Sequence, residues 1–379
     1  MPLKTSIKQR FQRRDSGTQY RHWWQLIHID FILLISILLL NIFGFFILYS
    51  ASNEQFSLVL SQMGHISFAV IIMLVLAQLP PYWYQRWAPW FYFFSLIALL
   101  LVLIIGHISL GAQRWISLGL FRFQPSDLML LALPMMLAWY FANKALPPNT
   151  KEVILSSLII LIPAVFTAKE PDLGSGIVIF TTGACLLLLA GIRWRIILYL
   201  LIGILLMAPF LWHFMRFYQR QRVLTFLNPE RDPLGAGYHI IQSKIAIGSG
   251  GLLGKGWLMG TQSHLQFLPE HATDFIFAVC GEEFGLFGAL ILLLLYTAII
   301  LRCFYIASQA QDTFTRLLAG ALSALFFISV FVNIGMVSGI LPVVGLPLPM
   351  ISYGGTSMVT LMASFGILMS IHGHKRLLS

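Results

Sequence analysis

Phe31-Ile-Leu-Leu-Ile-Ser-Ile-Leu-Leu-Leu40 decides the fold class, because Ser36 is its only polar residue and the apolar run continues to about residue 50. A helix needs about 20 apolar residues to cross the hydrocarbon of a bilayer. The other structure that can span a membrane is a closed barrel, whose strands alternate lipid-facing and lumen-facing residues. This run shows no such alternation. Nine further apolar stretches follow, near 58–79, 90–107, 127–142, 153–168, 174–191, 195–213, 275–301, 317–340 and 354–372. Of the 379 residues, 58% are hydrophobic and 10% charged, which places the chain among integral membrane proteins. The expected architecture is all-α with about ten transmembrane helices. A single polytopic domain over 26–379 follows a basic amino-terminal segment, 1–25.

Orientation follows from lysine and arginine. With the amino terminus inside, fifteen of the 24 fall at the inner face, from Lys4 to Arg376, and every inner loop carries at least one. The remainder lie mostly in one long outer loop, which the positive-inside rule does not count. Both termini are therefore expected to be cytoplasmic. The first apolar stretch is too long for the core of a cleaved signal and acts as an anchor. The net charge of +10 is accounted for by inner loops facing anionic lipid, so nucleic acid is not an expected partner. Cys185, Cys280 and Cys303 fall inside predicted helices without metal-ligand spacing.

The large excursion, about 214–273, is far longer than ordinary connections, and such loops tend to be functional. Within it the stretch from Gly237 to Lys255 has helical potential and then breaks at glycines. Gly248-Ser-Gly-Gly-Leu-Leu-Gly-Lys255-Gly256 invites a phosphate-loop reading but lacks the first glycine and the Ser or Thr after the lysine. Glycine amides beside Lys244 and Lys255 could still contact a phosphate. Other polar motifs fall on the same face: Gly111-Ala-Gln-Arg114-Trp-Ile-Ser117, Arg122-Phe-Gln-Pro-Ser-Asp127, Lys169-Glu-Pro-Asp172-Leu-Gly174, and Ser352-Tyr353-Gly-Gly at the start of the last span. Backbone broken by Pro and Gly at membrane depth is tolerated where it lines a protein or water cavity, so a shared polar cavity is expected.

Leu268-Pro-Glu-His-Ala-Thr-Asp274-Phe-Ile-Phe sets Glu270 and Asp274 where polar chain becomes an apolar helix. Carboxylates beside a membrane span are by default functional, although an Asp there could simply cap the helix.

Taken together, Gln-Pro-Ser-acidic, Pro-Asp-Leu-Gly, Asp-Pro-Leu-Gly-Ala-Gly-Tyr-His, Pro-Glu-x-x-Thr-Asp-Phe and Ser-Tyr-Gly-Gly resemble the SEDS family (shape, elongation, division and sporulation). The resemblance runs from the first span to the end of the chain. Ile340-Leu-Pro-Val-Val-Gly-Leu-Pro-Leu-Pro349 and the stretch from Tyr238 to Gly251 are similar to its elongation branch. The family polymerises peptidoglycan from lipid II, so the resemblance implies a multi-pass glycosyltransferase of the bacterial inner membrane with its active site facing outwards. It also implies a class B penicillin-binding protein transpeptidase and the elongation machinery as partners.

The resemblance further implies a catalytic aspartate at the position of Asp274. An Asp near its ordinary pKa of about 3.9 is ionised at neutral pH and can take the proton of an attacking 4-hydroxyl. Glu270 is the alternative base, and either could instead hold a divalent cation such as magnesium or manganese. The departing pyrophosphate needs positive charge. Arg114, Arg220, Arg222, Lys244 and Lys255 are the available outer cations, with Arg114 and Arg222 favoured, and Ser352 and Tyr353 join the substrate-binding set. The chain departs from the family at Ala272, where His is usual, at Asp127 for Glu, at Leu130 for Lys, and at Glu170 for Gln. An ion pair between Asp127 and Lys169 is expected to replace the missing lysine. Two other functions compete: a lipid-linked oligosaccharide flippase, and a non-enzymatic membrane scaffold for a transpeptidase.

Overall fold

A computed structural model describes residues 28–375 except 110–111, 118–121, 216, 232–234, 266 and 269. The expected basic segment 1–25 lies outside the described residues. Each of the ten apolar stretches coincides with one helix. These are α1 (Phe31–Ala51), α2 (Phe56–Gln78), α3 (Pro81–Ile105), α4 (Pro125–Phe141), α5 (Thr150–Lys169), α6 (Leu173–Leu189) and α7 (Trp194–Phe214), followed after the excursion by α11 (Ile276–Ser308), α12 (Thr313–Val337) and α13 (Thr356–Gly373). Among the described residues seven are long and apolar enough to cross a membrane, and α4 and α6 are shorter apolar helices. α3 starts at Pro81, earlier than hydropathy places it. Proline suits the first helical position, and the tyrosines and tryptophans that follow lower the local hydropathy while remaining helical.

The excursion is not a bare loop. It holds α8 (Phe217–Leu227), a 3₁₀ turn at Pro229–Arg231, α9 (Ala236–Gly250) and the single turn α10 (Thr261–His264). The expected helical potential from Gly237 is thus realised, and the helix ends where Gly251 takes a positive φ of 57°. A small antiparallel sheet was not anticipated: β1 (His107–Ser109), β2 (Ala112–Ser117) and β3 (Arg122–Phe123) pair in that order ahead of α4.

The core lies around α12, which packs on α11, α6 and α4, while α13 runs along α2. Only 39% of the most apolar window of α1 is buried, against 78% for α12, so α1 presents its outer face to lipid and α12 is a central post. Asp30 caps α1 by accepting the Leu33 amide at 3.0 Å and is held by Arg302 of α11 at 2.7 and 3.0 Å. This pair ties the same ends of two helices together.

α11 is broken. Gly285 has φ 63° and ψ −158°, a conformation that costs L-residues dearly but not glycine. Residues 251–256 lie against the break: Lys255 and Gly256 amides donate to the Glu282 and Glu283 carbonyls, while Leu286 and Phe287 amides donate to Gly251 and Leu252, all at 3.0–3.1 Å. The glycine-rich segment that mimicked a phosphate loop therefore completes the hydrogen bonding of an interrupted helix.

Candidate active site

A cavity of about 610 Å³ is bounded by four of the sequence motifs and by the head of α11. β2 supplies Arg114, the start of α4 supplies Gln124 and Asp127, the start of α6 supplies Asp172 and Ser175, and α8 supplies Arg222. Glu270, Thr273 and Asp274 come from the turn before α11, and residues 345–350 and 353–358 from the connection into α13 and its first turn. The shared cavity expected from scattered motifs is thus real.

Asp274 is not a helix cap. α11 begins at Ile276 with Phe275 as its cap residue, so the carboxylate is free to face the cavity. The turn preceding it folds around Glu270, whose φ is 51° and whose carbonyl accepts the Thr273 and Phe275 amides at 3.1 and 3.2 Å. Its carboxylate accepts the Thr273 hydroxyl at 2.8 Å. Three consecutive carbonyls are then captured from outside. The Tyr353 amide donates to Ala272 at 3.0 Å, the Ser352 hydroxyl to Thr273 at 2.5 Å, and the Asn333 amide group to Asp274 at 2.9 Å. Asn333 also donates to Leu346 at 2.6 Å. At Gly345, φ is 73° and a β-carbon would stand 3.4 Å from Asp274 Oδ2, so glycine leaves that oxygen open.

Burial pushes the Asp274 carboxyl up to about 6, with Glu270 and Asp172 acting in the same direction and Arg114 and Arg222 opposing. Reasoning from an ordinary aspartate placed it lower. At neutral pH it is still mostly ionised, and a base whose pKa approaches the working pH is better matched to proton transfer. Glu170, capping the end of α5, is pushed up to about 8 by burial first and Asp172 second. It is 1% exposed and neither of its oxygens has a hydrogen-bond partner.

Of the five expected cations, the structure brings only Arg114 and Arg222 to the cavity. Arg114 is also braced by donating to the Pro171 carbonyl. Arg220 donates instead to the His213 carbonyl, and Lys244 is exposed beside Gly339. Lys255 is structural: it pairs with the fully buried Glu282 at 2.6 Å and reaches Thr261 at 2.8 Å. Glu282 also accepts the Gln262 amide at 3.0 Å, and Glu283 accepts the Ser50 hydroxyl. The ion pair expected between Asp127 and Lys169 does not form. The Lys169 side chain is exposed although its neighbours Thr167 and Glu170 are buried, whereas Asp127 is 6% exposed beside Thr356 and Asp172. Tyr353 lines the cavity with its hydroxyl 3.2 Å from that of Ser61, while Ser352 works behind the wall as part of the carbonyl capture. Among the described residues no group of three or more His, Cys, Asp or Glu is placed to hold a metal.

Asn333 and Asp172 were not singled out from sequence as site residues. Asn333 carried a signal, as an amide inside a long apolar stretch is itself unusual.

Residues 30–377 match the model of the FtsW, RodA and SpoVE family, described as cell cycle proteins. The chain is 50% identical to the peptidoglycan glycosyltransferase MrdB of Escherichia coli K12, across 94% of this chain and 97% of that protein. Among solved structures, it superposes with a TM-score of 0.80 on a chain from work on structural coordination of polymerization and crosslinking by a peptidoglycan synthase complex, at 32% identity, covering 90% of this chain and 97% of that one. The rod shape determining protein RodA of Thermus thermophilus gives a TM-score of 0.69 at 27% identity, covering 90% and 96%.

Proposed function

This chain belongs to the FtsW, RodA and SpoVE family, and from that premise we propose that it is a peptidoglycan glycosyltransferase that joins lipid II units into glycan strands during cell elongation. The observation that carries the mechanism is the Asp274 carboxylate facing a cavity that also holds Arg114 and Arg222. Asp274 takes the proton of the acceptor 4-hydroxyl as that oxygen attacks the donor anomeric carbon. The bond to the polyprenyl pyrophosphate breaks, and Arg114 and Arg222 stabilise the negative charge gathering on the leaving group. Glu270, tied to Thr273, adds to burial in raising the Asp274 carboxyl rather than replacing it as the base. Any magnesium or manganese ion would come bound to the substrate's pyrophosphate oxygens, leaving Asp274 free to act as the base, because among the described residues no three His, Cys, Asp or Glu are grouped to hold one.

In this reading all ten apolar helices span the inner membrane, both termini are cytoplasmic, and the cavity opens on the outer face. A class B penicillin-binding protein partner is supported by the similarity to a chain from a peptidoglycan synthase complex. The test is glycan formation from purified lipid II with that partner present, comparing the wild type with Asp274→Asn. Polymer from the wild type alone supports the assignment. Equal polymer from both removes Asp274 from the chemistry, and none from either favours a flippase or scaffold.

A further inference from the structure

Asn333 sits on α12, is 0% exposed, and is surrounded by apolar neighbours. Its amide nitrogen lies 2.9 Å from the Asp274 carbonyl and 2.6 Å from that of Leu346. Two carbonyl oxygens can be met only by a donor, so the amide orientation follows from its surroundings. Its own oxygen has no partner. An unmatched buried acceptor is unfavourable by about 1–3 kcal/mol, and leucine would fit this helix without that cost. The two donated bonds are therefore what asparagine contributes here. They link the turn bearing Asp274 to the segment after Gly345, which forms the adjoining wall of the cavity.

We propose that Asn333 is a positioning residue for the reaction: it fixes the Asp274 backbone relative to the 345–349 wall, and so sets where the carboxylate meets the acceptor hydroxyl. This rests on reading Asp274 as the base. The neighbouring bonds from Ser352 and Tyr353 hold the preceding two carbonyls. Asn333 donates to the carbonyl of the residue that carries the carboxylate and ties it to Leu346 in the adjoining wall. Misplacing a reacting group by about 1 Å costs on the order of a hundredfold in rate.

The test uses the full-length protein with its partner and two variants. Asn333→Leu removes both donors at nearly constant volume. Asn333→Asp keeps the shape and, as the neutral acid, restores a single donor. Polymerisation over a range of lipid II concentrations should show kcat reduced at least about tenfold in Asn333→Leu, with KM within about twofold, and Asn333→Asp between it and the wild type. A second readout is independent of turnover: the pH dependence of carbodiimide labelling at Asp274, read by peptide mass spectrometry. In the wild type its midpoint should lie at about 6. Asn333→Leu should move it by at least about half a pH unit as the turn loosens. Unchanged kcat and an unchanged labelling midpoint would overturn the proposal, as would a loss carried in KM alone. If Asn333→Leu does not fold, Asn333→Asp decides by the same two readouts. If the wild type makes no polymer but the labelling midpoint moves in the variant, the positioning contact stands and the reading of Asp274 as base falls.

Discussion

Replacing Asp274 by Asn should abolish polymer formation and at the same time stabilise the folded protein at neutral pH. Its carboxyl titrates at about 6 rather than the ordinary 3.8, so the native state disfavours the ionised form. At 1.36 kcal/mol per pH unit the penalty is about 3 kcal/mol above pH 6. The carboxylate edge reaches an open cavity, and allowing for solvent screening leaves about 1–2 kcal/mol. The sign is definite. Between pH 3.8 and about 6 the folded state holds more proton than the unfolded state, so the stability of the wild type falls as pH rises through that window and is flat above it. Asn has no such dependence. Thermal unfolding of detergent-purified protein should therefore show Asp274→Asn above the wild type at pH 7.5, with the difference narrowing as pH falls below about 6 and closing only at about pH 3.8 and below. Losing the proton acceptor should cost the rate about 10²–10⁴-fold. A variant less stable than the wild type at pH 7.5, or a difference independent of pH, would refute the view that burial strains this carboxylate.

Polymerisation by the wild type should fall on acidification along a limb centred at about 6, measured as initial rate between pH 5 and 8. Lys255→Met strands the buried Glu282 and should lower stability by about 3 kcal/mol, less whatever water reaches the partly exposed lysine; a thermal shift with kcat retained in the surviving protein checks this. Gly285→Ala should fail to accumulate as folded protein, because φ is 63° and the added carbon would lie 2.3 Å from the Gly254 amide nitrogen; membrane-fraction yield measures it. Lys169→Ala, which removes an exposed side chain not paired with Asp127, should leave both stability and polymer yield within error.

The helices were legible because lipid demands long apolar runs whatever the tertiary arrangement, and Phe31–Ala51 matches its sequence reading within a residue at each end. Asp274, Arg114 and Arg222 were legible as candidates, since charges beside spans are by default functional, and they do line one cavity. What escaped was pairing. Lys169 was matched to Asp127 to replace the lysine missing at Leu130 and give a membrane carboxylate a partner, but neighbouring helix ends do not fix which way a long side chain leaves. Lys255 looked like a phosphate contact because its partner, Glu282, lies 27 residues on in α11 and only folding brings them to 2.6 Å. Asn333 was invisible as a contact, since its two acceptors are backbone carbonyls and carry no residue signature.

The break in α11 constrains how the chain can enter the bilayer. A continuous helix arrives with its peptide groups satisfied, but this one would present unpaired amides and carbonyls near Gly285 to hydrocarbon, at several kcal/mol each. The peptide groups that satisfy them, in residues 251–256, belong to a part of the chain already synthesised when residue 287 emerges. Residues 251–256 and the stretch of α11 around Gly285 therefore have to dock as one unit for these peptide groups to be satisfied.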